Sequence, residues 1–170
     1  MIEKVPLTVV IPALNEEANL EDAVASVAFA KRVVVVDSGS VDRTVDIAMS
    51  AGAEVLHFSY GGQGPKKKSW ALATIDFETE WVFLLDADER VPPELQTEIR
   101  GAVVADRLDG WYLDRELVFM GRVMRSFQPN WNLRLFRHRA AQMEDLGLDD
   151  LPDTGDNEIH EHIVVDGSVG

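Results

Sequence analysis

The chain has 170 residues, 46% hydrophobic and 27% charged, with no cysteine and a net charge of −14. That length suits one domain with a sizeable core. The lack of cysteine excludes disulfides and thiolate metal sites, and the charge argues against nonspecific binding to nucleic acid.

No apolar run approaches the roughly 18 residues of a membrane span. The opening Met-Ile-Glu-Lys-Val-Pro lacks a signal pattern, so a cytoplasmic location is expected. Charge is unevenly spread. Arg107 to Arg139 holds seven arginines against three acids, and nine acids with no Lys or Arg follow. Such a segment is ordinarily a solvated face. Its other reading is an anionic-acceptor or membrane-surface site, with peripheral association at the inner face of the membrane.

In chain order, Thr8 to Ile11 is a β-branched run that Pro12 is expected to end. Asn15 is the expected N-cap of a helix whose apolar face is Leu20, Ala23, Val24, Val27 and Ala28, reaching about Ala30. Arg32 to Val36 reads as a second strand with Asp37 at its carboxyl end. After the Ser38-Gly39-Ser40 turn a helix runs from Val41 until Gly52 stops it. Glu54 to Phe58 is a third strand, residues 60–65 a permissive loop, and Lys66 to Ile75 a helix with Trp70 on its buried side. Trp81 to Leu85 is a fourth strand, and Pro92-Pro93 opens a helix to about Val104. Strands alternating with helices at this spacing predict an α/β fold with a parallel, right-handed βαβ sheet. Beyond Gly110 the rhythm breaks into short strands at Trp111–Leu113, Leu117–Met120 and Leu133–Phe136. The segment from Gln142 to Asn157 reads as a loop or lid.

Glu16, Asp37 and the Asp86/Asp88 pair all fall at strand ends, where open α/β sheets bind ligands. Acids gathered there repel one another unless a cation or a donor-rich ligand satisfies them. A hard divalent cation on a pyrophosphate would do so, with Lys66, Lys67 and Lys68 neutralising further phosphate charge. No Gly-x-x-x-x-Gly-Lys-Ser/Thr is present, which argues against a kinase-type site. Near the end, His160-Glu161-His162 admits three readings: metal ligands, a general base, or surface residues.

These stretches resemble a known family. Val9 to Glu17, Val36 to Thr44, Lys67 to Leu72 and Leu85 to Arg90 are similar to successive motifs of glycosyltransferase family 2. With Leu133 to Arg137 and His160 to His162, they look most like its lipopolysaccharide-core β-glucosyltransferase-like branch. The resemblance implies a GT-A fold: a Rossmann-like, mostly parallel central sheet flanked by helices, with a smaller mixed C-terminal strand region. Residues 1–105 would form the nucleotide-sugar half and 106–170 the acceptor side of one domain. It also implies transfer with inversion from a nucleotide-diphosphate sugar, a UDP-sugar first of all, to a glycan or lipid-linked acceptor.

Residue by residue, Pro12, Ala13, Asn15, Glu16 and Asp37 would hold the base and ribose. Lys68, Asp86 and Ala87 would complete the donor site. Asp86 and Asp88 match the family's Asp-x-Asp and would hold Mg²⁺ or Mn²⁺, with His160 or His162 as a further candidate ligand. Glu161 matches the position of the general base. The motif around Asp37 departs from the family's Asp-Asp-Gly-Ser-Thr-Asp at Ser38 and Val41. Members of the family continue well past the final motif, so the alternative expectation is a truncated core or a nucleotide-sugar-binding module without catalysis.

Overall fold

The β-branched runs build the centre of the molecule. In this computed structural model, which describes residues 3–59, 66–143 and 163–170, strand β1 (Val5–Ala13) lies between β2 (Ala30–Asp37) and β4 (Trp81–Leu84). All three are parallel, and β3 (Glu54–His57) lies parallel outside β2. Beyond β4, β8 (Trp131–Arg137) runs antiparallel and β5 (Gly110–Asp114) pairs antiparallel with β8, completing the six-stranded order β3-β2-β1-β4-β8-β5. The expected mostly parallel α/β sheet is met.

Helices α1 (Leu20–Ser26), α2 (Thr44–Ser50), α3 (Lys67–Thr74) and α4 (Pro93–Ala105) cover the sheet. Successive strand residues point to opposite faces, so Val9 and Phe83 join one core with Leu20 and Ile99, while Val10, Val82 and Phe136 join the other with Ala71. Burial on both faces is why these strands read as continuous apolar runs instead of alternating ones. Phe136 is fully buried, and truncating such a ring to alanine costs about 3–5 kcal/mol.

Boundaries differ from expectation for local reasons. β1 continues through Pro12 to Ala13, because the pairing with β4 stops at Val10 and leaves that end of β1 as an edge, where proline is tolerated. Asn15 is not an N-cap: it takes φ 54° and α1 starts only at Leu20. That helix ends at Ser26 instead of Ala30, since Ala30 is drawn into the sheet opposite Val5. α2 begins at Thr44, leaving Val41 exposed. Trp70 is only half-buried, tilted against Phe58 at 5.3 Å, and the buried side of α3 carries Lys67, Lys68 and Ala71.

Past β5, strands β6 (Val118–Phe119) and β7 (Arg122–Val123) form a small hairpin. A 3-10 turn at Arg125–Phe127 follows, and β9 (Ala141–Met143) pairs antiparallel with β10 (Ile163–Val165). Gln142 and Met143, expected in a loop, lie in β9; residues 144–157 of that expected lid lie outside the described residues, as do His160, Glu161 and His162.

A candidate active site at the carboxyl ends of the parallel strands

The order β3-β2-β1-β4 reverses direction between β1 and β4. In open α/β sheets the crevice outside the strand ends at such a switch point is where ligands bind. Two chain segments form its first wall. Pro12 and Ala13 are buried at the end of β1, and the loop that follows is laced to the turn after β2. The Asn15 N–H donates to Ser40 Oγ at 2.8 Å, and Val41 N–H returns a bond to Asn15 Oδ1 at 2.9 Å. The Glu16 N–H donates to Thr44 Oγ1 at 2.7 Å, and Glu16 Oε2 accepts from Asn19 Nδ2 at 2.9 Å. A side chain that bonds across to the other loop is what holds Asn15 in its left-handed conformation, one that asparagine tolerates better than most residues.

Asp37 is 1% exposed. Its carboxylate accepts from the backbone N–H of Gly39 at 3.0 Å, from that of Ser40 at 3.2 Å and from Ser40 Oγ, and His57 Nδ1 stands 3.5 Å away. Gly39 takes φ 92° in this turn, the left-handed region that favours glycine. Ser38 Oγ, beside it, is buried with no hydrogen-bond partner among the described residues.

The second wall is the turn after β4. Asp86 Oδ2 accepts from Arg134 at 2.7 Å, and Arg115 lies 3.6 Å from the same oxygen. Oδ1 has no aligned hydrogen bond but faces the Lys68 ammonium at 3.1 Å, a charge contact. Glu89 shares this cage, taking Arg115 at 3.0 Å and Arg134 at 3.2 Å on Oε1 and the Asp86 N–H at 3.0 Å on Oε2. Burial by itself would raise the Asp86 carboxyl. The hydrogen bond and charge of Arg134, then the charge of Lys68, outweigh it and hold Asp86 well below the usual carboxylate range. Ala87 is buried, whereas Asp88 is exposed at the tip of the turn. Arg90 ties the turn to the start of α1 by donating to Asn19 O at 2.7 Å.

The strand-end acids therefore lie along one edge as expected, but they do not wait on a cation to offset mutual repulsion. Glu16, Asp37 and Asp86 each have protein donors, and no group of three or more acidic or histidine side chains able to hold a metal exists among the described residues. Magnesium-type sites commonly use one or two carboxylates plus substrate phosphates. The exposed Asp88 carboxylate beside the caged Asp86 fits a hard divalent cation of that kind. Lys68 reaches the crevice through its pairing with Asp86, and Lys67 Nζ stands 3.4 Å from Ala13 O.

From the sequence alone, Arg134, Arg115 and Ser38 carry no site role. A signal for the first was present: an arginine inside the apolar run Leu133-Arg134-Leu135-Phe136, 7% exposed in the structure, is rarely buried without a carboxylate partner. No comparable signal marks Arg115, whose partners are 26 and 29 residues away in sequence.

The family model described as "Glycosyl transferase family 2" matches residues 8–155. Among curated relatives, the lipopolysaccharide core biosynthesis glycosyltransferase LpsC of Rhizobium meliloti is 33% identical over 181 aligned residues, covering 100% of this chain and 61% of LpsC. An uncharacterized glycosyltransferase of Rickettsia bellii is 42% identical over 86 residues, 50% of this chain and 28% of its own length. The chain thus spans less than two thirds of these relatives. Among solved structures, glucosyl-3-phosphoglycerate synthase from Mycobacterium tuberculosis, in complex with Mn²⁺, UDP and phosphoglyceric acid, superposes with TM-score 0.51. It is 26% identical, over 62% of this chain and 41% of that one. TarS from S. aureus superposes with TM-score 0.57 at 18% identity over 88% of this chain and 50% of the other, a likeness of fold. The expected GT-A architecture is met.

Proposed function

The chain belongs to glycosyl transferase family 2, and on that premise we propose that it transfers a sugar, with inversion, from a nucleotide-diphosphate donor to an acceptor hydroxyl with the help of a divalent metal. The observation that carries this reading is the pairing of a caged carboxylate, Asp86, with an exposed one, Asp88, at the β1/β4 switch point. The presence of UDP with Mn²⁺ in the mycobacterial synthase structure supports a uridine donor and metal use. The likeness to LpsC supports a cell-envelope glycan or lipid-linked acceptor.

In this reading Pro12, Ala13, Asn15, Glu16 and Asp37 bound the base and ribose pocket, with the buried Ser38 hydroxyl in the turn beside Asp37. Asp88 and Asp86 would hold Mg²⁺ or Mn²⁺, and a divalent ion there would supply positive charge to offset the negative charge developing on the departing diphosphate. Lys68 and Arg134 fix Asp86 in place, so its orientation is set before donor arrives and no reorganisation is needed during reaction. Glu161, by its place in the His160-Glu161-His162 motif, is the base that takes the acceptor proton. The acceptor oxygen then bonds to the anomeric carbon as the bond to the diphosphate breaks on the opposite face. One displacement of this kind uses no nucleophilic side chain; His160 or His162 remains a candidate further metal ligand.

The experiment is a thermal-shift panel of nucleotide diphosphates and their sugars, with and without Mn²⁺, followed by diphosphate release from whichever donor binds. Ligand that binds only the folded state raises its melting temperature. A metal-dependent shift with UDP or a UDP-sugar is expected. No shift with any nucleotide would refute the donor site.

A further inference from the structure

The hairpin of β6 and β7 stands apart from both cores. Val118 pairs with Val123 and Phe119 with Arg122, so the two faces carry different pairs, and every one of these residues is exposed. The connection is Met120-Gly121, both at positive φ (50° and 74°), the two-residue turn that matches strand twist. Glycine suits that conformation and methionine does not. Yet Met120 sits at the extreme tip, 87% exposed, with Phe119 at 62% and Val118 at 58%. A two-stranded hairpin of this size is marginal without a partner, and the large apolar side chains at its tip join neither hydrophobic core among the described residues.

The flanking charge says what kind of surface the tip suits. Arg122 follows the turn and Arg125 lies at the base of β7, both exposed, and neither has an ion-pair partner among the described residues. They belong to the arginine-rich stretch of a chain whose overall charge is −14, so the cationic character is local to this face. Apolar tip residues with arginines at their shoulders match the profile of an interfacial anchor: apolar groups enter the headgroup boundary while cations meet anionic lipid. No helix among the described residues is long and apolar enough to cross a membrane, so an attachment through this hairpin would be at the surface.

We propose that the Val118–Arg125 hairpin docks this protein on an anionic lipid bilayer. The dock and the candidate site are mechanically joined. Arg115, three residues before the hairpin, holds Glu89 at 3.0 Å and lies 3.6 Å from Asp86, while its own N–H donates to Asn130 O at 3.1 Å. With only two residues between Arg115 and Val118, a tip seated in a bilayer keeps the Asp86 crevice near the lipid surface, and on the proposed transferase reading a lipid-linked acceptor would present its hydroxyl there. The docking does not depend on the transfer chemistry, and it is read without donor.

The test is co-sedimentation of the chain with vesicles of phosphatidylcholine alone and of phosphatidylcholine with a quarter phosphatidylglycerol. The intact chain binds the anionic vesicles at least tenfold more tightly than the neutral ones, and less so as salt rises. Phe119→Ser with Met120→Ser, and separately Arg122→Glu with Arg125→Glu, each weaken that binding tenfold or more. Circular dichroism and the thermal shift with UDP and Mn²⁺ stay unchanged in both. Failure of the intact chain to bind, equal binding to both vesicles, or full binding by either variant would overturn the proposal. Sedimentation velocity covers the other occupant: self-association abolished by the serine variant would assign the tip to a second copy instead.

Discussion

Arg134, reaching across from β8, donates to Asp86 Oδ2 at 2.7 Å while the same nitrogen lies 3.2 Å from Glu89 Oε1. One guanidinium, 7% exposed, thus joins an antiparallel strand of the C-terminal region to the acidic turn after the last parallel strand. The site's geometry depends on that clamp.

Replacing Arg134 with methionine keeps much of its volume but leaves Asp86 and Glu89 to Lys68 and Arg115. Removing one partner of a largely buried pair strands the other, and such changes cost about 3–5 kcal/mol where no other partner exists. With Lys68 and Arg115 still in place, the expected loss is about 2–3 kcal/mol, read from urea unfolding. A change under about 0.5 kcal/mol, the ordinary surface range, would show that the clamp does not hold the turn.

The same pair makes stability depend on acid. Asp86 is held below the usual carboxylate range in the folded protein, so folding favours its ionised form. Its contribution is therefore complete above the ordinary aspartate value near 3.9 and is lost as pH falls toward the folded value. Asp86→Asn removes that contribution. The expected stability gap between the intact chain and the variant is about 1–3 kcal/mol and flat above pH about 5. It narrows below pH about 4. A gap that widened on acidification would reverse the assigned sign.

Asp88 separates function from folding. It is exposed and makes no hydrogen bond or ion pair among the described residues, so Asp88→Ala is expected to change stability by less than about 0.5 kcal/mol. Donor turnover at saturating metal should fall at least about 100-fold, since stabilising a leaving diphosphate is worth several kcal/mol. Unchanged turnover would remove Asp88 from the metal site.

Much of this was legible in the sequence because the parallel strands are buried on both faces. Their apolar runs at Val33–Val36 and Trp81–Leu85 announce strands, and the acids that close them announce a ligand edge. Legibility failed where a residue's role depends on chain that is distant in sequence. Asn15 has the composition of an N-cap, but its side chain is taken by Val41, 26 residues on. Lys67 and Lys68 read from the sequence as cations for donor phosphate, yet they are buried because Asp86 and the end of β1 lie opposite. Local pattern cannot register partners of that kind; a charged residue inside an apolar strand, as at Arg134, is the nearest it comes.

Glu161→Gln separates binding from chemistry. Glu161 is the proposed base; the amide keeps its shape but cannot accept the acceptor proton, so transfer should fall by about 100-fold or more, while the metal-dependent thermal shift with donor persists. Normal transfer would place the base elsewhere, with Glu144 and Asp145 the next acids to substitute.

Ser38 gives effects of opposite sign on stability and on binding. Its hydroxyl is buried and unpaired among the described residues, and an unsatisfied buried polar group costs about 1–3 kcal/mol relative to one that is paired. Without ligand, Ser38→Ala removes that burden and should leave stability unchanged or raise it by up to about 1 kcal/mol. If the hydroxyl instead completes its bonding with the nucleotide, the alanine variant loses about 0.5–1.5 kcal/mol of binding, a roughly two- to twelvefold rise in the Kd for UDP. Calorimetric titration of UDP with Mn²⁺ alongside urea unfolding checks both. A variant that is less stable but binds UDP normally would assign Ser38 to the fold and remove it from the donor pocket.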